Sequence, residues 1–221
     1  MTLQSIKTEI KNACAKGGRK PAAVTLVAVS KSRPVEKIEP LLAQGQRFFG
    51  ENRVQEAAEK FPALRTKYPD IELHLIGHLQ TNKARDAVRV FDVIETVDSI
   101  RLAEELDREM EKQSRRLPCF IQVNTGAEAQ KAGVAVHDLP ALLDFCREKT
   151  KLQIQGLMCI PPAHEVPDLH FALLHKLAGE SGLEKLSMGM SADFTAAIKY
   201  GATHVRVGTA LFDDEIETDA A

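Results

Sequence analysis

Eight short runs of β-forming apolar residues alternate with longer segments whose apolar residues recur every three or four positions, and this alternation constrains the fold more than any other feature of the chain. The strand-like runs fall at residues 24–29, 46–49, 72–76, 92–97, 119–123, 153–158, 185–188 and 203–207. The first, VTLVAV, is almost continuously apolar, as a strand buried on both faces must be. Helical stripes fill the gaps. Pro34 precedes Val35, Ile38, Leu41 and Leu42 at the position a helix start favours. Asn52 and Gln55 resemble a capping box ahead of Val54, Ala57, Ala58 and Phe61. Ile100, Ala103, Leu106 and Met110 form a further stripe, and Leu139, Leu142, Leu143 and Cys146 another after Asp138. Ser191 can cap a helix through Ala197 and Ile198 that Gly201 ends. One more helix opens the chain, with Leu3, Ile6, Ile10, Ala13 and Cys14 on one face and Gly17-Gly18 as its stop.

Strands separated by crossover helices imply a parallel sheet. Eight such units in 221 residues leave room for one domain, residues 1–221. The expected architecture is α/β: a single (β/α)8 TIM-type barrel with an extra N-terminal helix. An open doubly wound sheet is the alternative, but no G-x-G-x-x-G follows the first strand.

Composition removes several function classes. A formal net charge of -2 does not suit a basic nucleic-acid binder or a membrane-surface protein. No apolar run approaches the roughly 20 residues that span a bilayer, and the N-terminus lacks the apolar core of a secretion signal. The expected compartment is cytoplasmic. Cys14, Cys119, Cys146 and Cys159 form no C-x-x-C pair and sit among apolar neighbours, so buried, reduced thiols are expected rather than disulfides or a metal site.

In a (β/α)8 barrel the chemistry gathers at the C-terminal ends of the strands. Lys31 follows the first strand. A lysine there is expected to be partly desolvated, which exposes a neutral amine able to condense with an aldehyde; the alternative is a surface lysine whose stem covers the rim. The eighth strand leads through Arg206 into Gly208 and Thr209, and Ser191 follows the seventh. Glycine admits close approach of backbone N–H groups to an anion, and a hydroxyl at a helix start adds a donor. An ordinary tight turn accounts for the same residues. His74 and His78 straddle the end of the third strand with no carboxylate at metal-ligand spacing, so packing or rim hydrogen bonds are expected of them. His170 and His175, five apart, do not share a helix face well. Lys83, Arg85 and Arg89 read as a solvated helix face, and Lys131 as a secondary ligand contact near the rim.

Six segments, VAVSKSRP, FFGENRVQEAAEK, HLIGHLQTNKAR, IQVNTGAEAQKAGV, GLMCIPP and LSMGMSADFTAAIKYGATHVRVGTALF, resemble the pyridoxal phosphate homeostasis proteins. These are the YggS-type group of bacteria and its eukaryotic counterpart, the proline synthetase co-transcribed homolog. The resemblance runs in order from about residue 24 to residue 212. It implies a barrel like the N-terminal domain of alanine racemase, with pyridoxal 5′-phosphate (PLP) held as a Schiff base, an internal aldimine, on Lys31. It implies phosphate contacts at Ser191, Gly208 and Thr209, an arginine facing the pyridine nitrogen at Arg206, and a ring-edge contact at Asn52. The chain departs from the family's pattern at Asp213, where glycine is frequent, and in His-Leu-Ile-Gly, where His-Phe-Ile-Gly is common.

A cationic arginine against the pyridine nitrogen keeps it unprotonated and makes the ring a poorer electron sink. Racemisation needs an acid–base group on each face of the substrate. Lys31 supplies one; racemases take the other, a tyrosine, from a second domain of a partner subunit. This chain's tyrosines, Tyr68 and Tyr200, are expected outside the strand ends. The resemblance therefore implies a non-catalytic, monomeric PLP carrier that delivers the cofactor to apo PLP-dependent enzymes, without metal, nucleic-acid or membrane partners. A small PLP-dependent amino-acid racemase is the alternative, and a phosphate-binding barrel enzyme without PLP a third.

Overall fold

The computed structural model describes residues 1–128, 130 and 132–212; the expectations placed on Lys131 and Asp213 lie outside them. After α1 (Leu3–Lys16) come β1 (Thr25–Val29), α2 (Val35–Ala43), β2 (Phe48–Glu51), α3 (Val54–Lys67), β3 (Glu72–Leu75), α4 (Ala84–Val90), β4 (Val93–Val97) and α5 (Ile100–Lys112). There follow β5 (Pro118–Asn124), β6 (Val134–Ala135), α6 (Leu139–Lys149), β7 (Gln153–Met158), α7 (Pro167–Glu180), β8 (Lys185–Ser187), α8 (Phe194–Lys199), β9 (His204–Val207) and α9 (Thr209–Phe212). The strands pair in the order β4-β3-β2-β1-β9-β8-β7-β5, and β4 pairs again with β5, so eight parallel strands close into a barrel. The expected TIM-type fold is therefore present. β6 is an addition the periodicity does not announce: two residues that pair Val134 with Val123 outside the barrel.

The strand alternation sorts side chains into two layers. Leu26, Ala28, Leu73, Leu75, Ile121, Val205 and Val207 point outward into the main core beneath the helices. Inside the barrel, Val93, Phe120 and Met158 form a small apolar cluster of their own. Phe49, fully buried against Phe61 of α3 at 6.0 Å between ring centroids, ties β2 to the helix that follows the site; truncation to alanine there is expected to cost about 3–5 kcal/mol. The extra helix α1 starts where Thr2 Oγ1 accepts from Ser5 N–H at 3.1 Å, and it packs on α8. Arg19 Nη1 donates to Ile198 O at 2.8 Å and fixes that contact.

Three local expectations change. β2 begins at Phe48 rather than at residue 46, because Gln46 turns its buried amide to Leu26 O and Phe48 O, both at 2.7 Å, and closes the turn instead of extending the strand. The capping box does not form: Arg53 is the N-cap of α3, without a side-chain cap. Nor does Ser191 cap α8, which starts after Asp193; Asp193 Oδ1 accepts from Met190 N–H at 2.5 Å.

Candidate functional site

Lys31 stands in a tight turn immediately after β1. Arg33 N–H closes the turn on Ser30 O at 3.1 Å, and Ser32 takes φ 57. A left-handed serine costs on the order of 1 kcal/mol, so neighbouring groups must hold it. Ser32 N–H donates to Glu56 Oε1 at 2.5 Å. Lys60 Nζ donates to Ser30 O at 2.8 Å, Arg33 O at 3.2 Å and Glu56 Oε1 at 2.8 Å, and pairs with Glu51 Oε1 at 2.6 Å. Ser30 Oγ–H completes the cluster on Glu51 Oε1 at 2.7 Å. Burial pushes the Glu51 carboxyl up, against the pull of Lys60 and Ser30. Burial also acts upward on Glu56, but Lys60 and the Ser32 N–H outweigh it and hold that carboxyl down. The backbone around Lys31 is thus fixed from behind, while Lys31 itself is exposed. The expected partial desolvation is not met: β1 ends at Val29, and Lys31 sits on the open lip of the barrel.

Across the mouth, three donors converge on one oxygen. Gly208 N–H at 3.3 Å, Ala210 N–H at 3.5 Å and Thr209 Oγ1–H at 3.1 Å all face Ser191 Oγ. A side chain on Gly208 would come 3.2 Å from Val29 Cβ, so glycine keeps the turn against β1. Gly189 makes the other half possible. It has φ +92, and a Cβ there would lie 2.5 Å from Ala197 Cβ.

Arg206, inward-facing on β9 and 3% exposed, forms the floor. Its Nη1 donates to Ser187 Oγ at 2.7 Å and its Nη2 to Cys159 O at 2.8 Å. Ser187 Oγ–H donates to Glu95 Oε2 at 2.6 Å, Glu95 Oε1 meets His74 Nδ1 at 2.6 Å, and His74 Nε2 meets Glu72 Oε1 at 3.1 Å. Burial disfavours charge on both members of the central pair. The hydrogen bonds win: those from Glu72 and Glu95 raise His74 to about 9, and that from His74, with the Arg206 charge, lowers Glu95 to about 2. His204, beside them, is pushed the other way by burial, to about 4.

Lys31, Asn52, Ser191, Arg206, Gly208 and Thr209 all line one cavity of about 340 Å³, with Val29, Ile76, Ile160, Met190 and Ala192 as its apolar walls. The structure brings the six binding residues that the resemblance implies together there. Among the described residues, Lys31 and Arg206 are its ionisable lining residues. A second cavity of about 260 Å³ shares Asn52, Ile76 and Ile160, so the mouth continues toward β5. Tyr68 and Tyr200 end α3 and α8 and line neither. His78 pairs with Asp98 at 3.3 Å, and His170 bonds Thr125 and Glu165, each at 3.1 Å. Among the described residues no cluster suits a metal ion, and all four cysteines are buried and unpaired.

The parallel barrel, with a lysine after its first strand and a donor-rich turn after its last, falls in a known class. The family model for the alanine racemase N-terminal domain matches residues 2–215. Within that class, the chain belongs to the pyridoxal phosphate homeostasis protein family. It is 39% identical over 220 residues to the pyridoxal phosphate homeostasis protein of Vibrio alginolyticus, covering 95% of this chain and 94% of that one. It is 40% identical over 217 residues to the protein of the same name from Pseudomonas aeruginosa, covering 95% and 93%. Among solved structures, PipY of Synechococcus elongatus with PLP bound superposes with a TM-score of 0.81 at 42% identity, covering 92% of this chain and 99% of that one. Alanine racemase from Clostridium difficile shares the fold, with a TM-score of 0.71 at 14% identity; 96% of this chain matches 57% of the racemase.

Proposed function

We propose that this protein binds PLP at the barrel mouth and acts in PLP homeostasis, holding and releasing the cofactor rather than catalysing a reaction with it. The observation that carries the reading is the convergence of Lys31, Arg206 and the Ser191–Gly208–Thr209 turn on one cavity. The donor set fits the cofactor. Two backbone N–H groups and a hydroxyl already turned toward a single oxygen suit a phosphate tail. A guanidinium suits a ring nitrogen that accepts, and a primary amine suits an aldehyde. Lys31 would hold the aldehyde carbon, Asn52 would border the ring, and the apolar walls would cover its faces. Bound PLP supplies a carbonyl-derived electron sink, which the Arg206 cation weakens by leaving the ring nitrogen without a proton. Among the described residues lining the cavity, Lys31 is the side chain suited to exchange a proton there, and none opposes it from a second face. That argues for holding over turnover, as do the relatives' names and the PLP bound to PipY.

We further assign the protein to the cytoplasm as a monomer, with apo PLP-dependent enzymes as recipients. Among the described residues no helix is long and apolar enough to cross a membrane. Borohydride reduction of PLP-loaded protein followed by peptide mass spectrometry should place a pyridoxyl group on Lys31, and Lys31→Ala should lose the visible absorption band. An adduct on another lysine, or none, would defeat the assignment. Sustained interconversion of D- and L-amino acids by the loaded protein would favour a racemase instead, and a transfer assay to an apo-enzyme with a trap for free PLP tests delivery.

A further inference from the structure

The floor of the cavity is one end of a hydrogen-bonded chain whose direction the chemistry dictates. A guanidinium can only donate and an ionised carboxylate can only accept. Ser187, between them, must accept from Arg206 Nη1 and pass its single proton to Glu95 Oε2. Glu95 spends its other oxygen on His74 Nδ1. Ser187 and Glu95 are 0% exposed and Arg206 is 3% exposed, so water does not substitute for a missing link. Among the described residues, the guanidinium's other anchor is Cys159 O, on Nη2.

We infer that Ser187 and Glu95 are positioning residues for the ligand's ring: they set where the Arg206 guanidinium stands beneath it. The inference rests on the PLP reading of the site and deepens it. Glutamine at position 95 cannot reproduce the glutamate. Its carbonyl takes one side and its NH2 the other, so the NH2 is met either by Ser187 Oγ, which then loses the outlet for its proton, or by His74 Nδ1, which can accept only in a neutral ring. Alanine at position 187 leaves Arg206 Nη1 without its acceptor and Glu95 Oε2 without its donor. Ser187→Ala frees the guanidinium on the side away from Cys159, and Glu95→Gln removes the anion behind it, while neither substitutes a residue that lines the cavity.

The test uses the full chain, PLP labelled with 15N in the ring, and Ser187→Ala, Ser187→Thr and Glu95→Gln. Two quantities are read: the dissociation constant, and the ring-nitrogen chemical shift between pH 6 and 9. In the wild type the shift should be that of an unprotonated nitrogen held by a donor, flat with pH. In Ser187→Ala and Glu95→Gln the constant should rise about tenfold, the size of one lost charge-assisted hydrogen bond, and the shift should become pH-dependent. Ser187→Thr, which keeps the hydroxyl, should restore both. Circular dichroism and hydrogen exchange identify any variant that fails to fold, and if Ser187→Ala is one, Glu95→Gln against Ser187→Thr carries the comparison, with equal readouts in the two overturning the inference. If folded Ser187→Ala matches the wild type in both readouts, the positioning role is overturned while the PLP site stands. If the wild type shows no bound ring-nitrogen signal, it is the PLP reading that falls.

Discussion

Replacing Glu95 by glutamine should destabilise the protein in a way that depends on pH, because Glu95 and His74 form an ion pair shut inside the barrel. Both residues are at most 1% exposed. Desolvation opposes both charges, yet their mutual hydrogen bond, with help from Glu72 and Arg206, moves Glu95 from 4.5 to about 2 and His74 from 6.5 to about 9. A carboxyl depressed by folding stabilises fully above its unfolded value and loses that contribution as pH falls through the folded one. An imidazole raised by folding stabilises fully below its unfolded value and loses its contribution as pH rises through the folded one. Both contributions are therefore complete between about pH 4.5 and 6.5, and the alkaline loss develops toward about 9. Either displacement corresponds to about 3 kcal/mol. The two describe largely one interaction, so about 3 kcal/mol is the value for the pair rather than twice that. Urea unfolding of wild type and Glu95→Gln, followed by circular dichroism without added cofactor at about pH 5.5, 7.5 and 9.5, reads the effect. The variant should be less stable by about 3 kcal/mol at the lowest pH, by less at about pH 7.5, which lies above the unfolded value of His74, and the gap should nearly close at the highest, where wild-type His74 has also lost its proton. A gap that is absent, or that stays constant across the range, would refute the ion-pair account.

Two other changes probe the scaffold of the site. Lys60→Met should leave the fully buried Glu51 carboxylate without its cation and release Ser30 O and Arg33 O, costing about 3 kcal/mol or more in urea unfolding; unchanged stability would mean the cluster behind Lys31 carries no load. Gly189→Ala, at φ +92 with its new methyl 2.5 Å from Ala197 Cβ, should lower unfolding stability by more than about 2 kcal/mol in urea and weaken binding of inorganic phosphate at Ser191, read by calorimetry.

The barrel was legible because its strands are marked twice, by apolar runs and by the helical stripes between them. β6 was not, since two residues carry no period, and Gln46 misled because a polar side chain serving backbone carbonyls looks the same in sequence as one opening a strand. The rim residues share a cavity because of their position: Lys31, Asn52, Ser191, Gly208 and Thr209 follow strands, Arg206 lies in the last one, and closing the barrel brings strand ends together whatever their spacing. The buried chain was only half legible. His74, Glu95, Ser187 and Arg206 each interrupt an apolar strand, which marks them as inward-facing polar groups that must find partners. Which partners they find depends on strand stagger, and the Ser187–Glu95 bond spans 92 residues.

That chain also bears on why such a barrel holds its ligand instead of transforming it. Polar groups inside the barrel are consumed in fixing one cation: Cys159 O and Ser187 hold Arg206, Glu95 holds Ser187, and His74 holds Glu95. None of Ser187, Glu95 or His74 lines the cavity. What lines the cavity is a guanidinium, a lysine on an exposed lip, and a turn of fixed donors. Such a set could grip an anionic tail, a ring nitrogen and an aldehyde at once, and among the described residues it adds no second proton carrier. The open side toward β5 leaves a path out. A site of this kind is suited to reversible custody, with affinity set by a rigid floor and exchange set by an accessible amine.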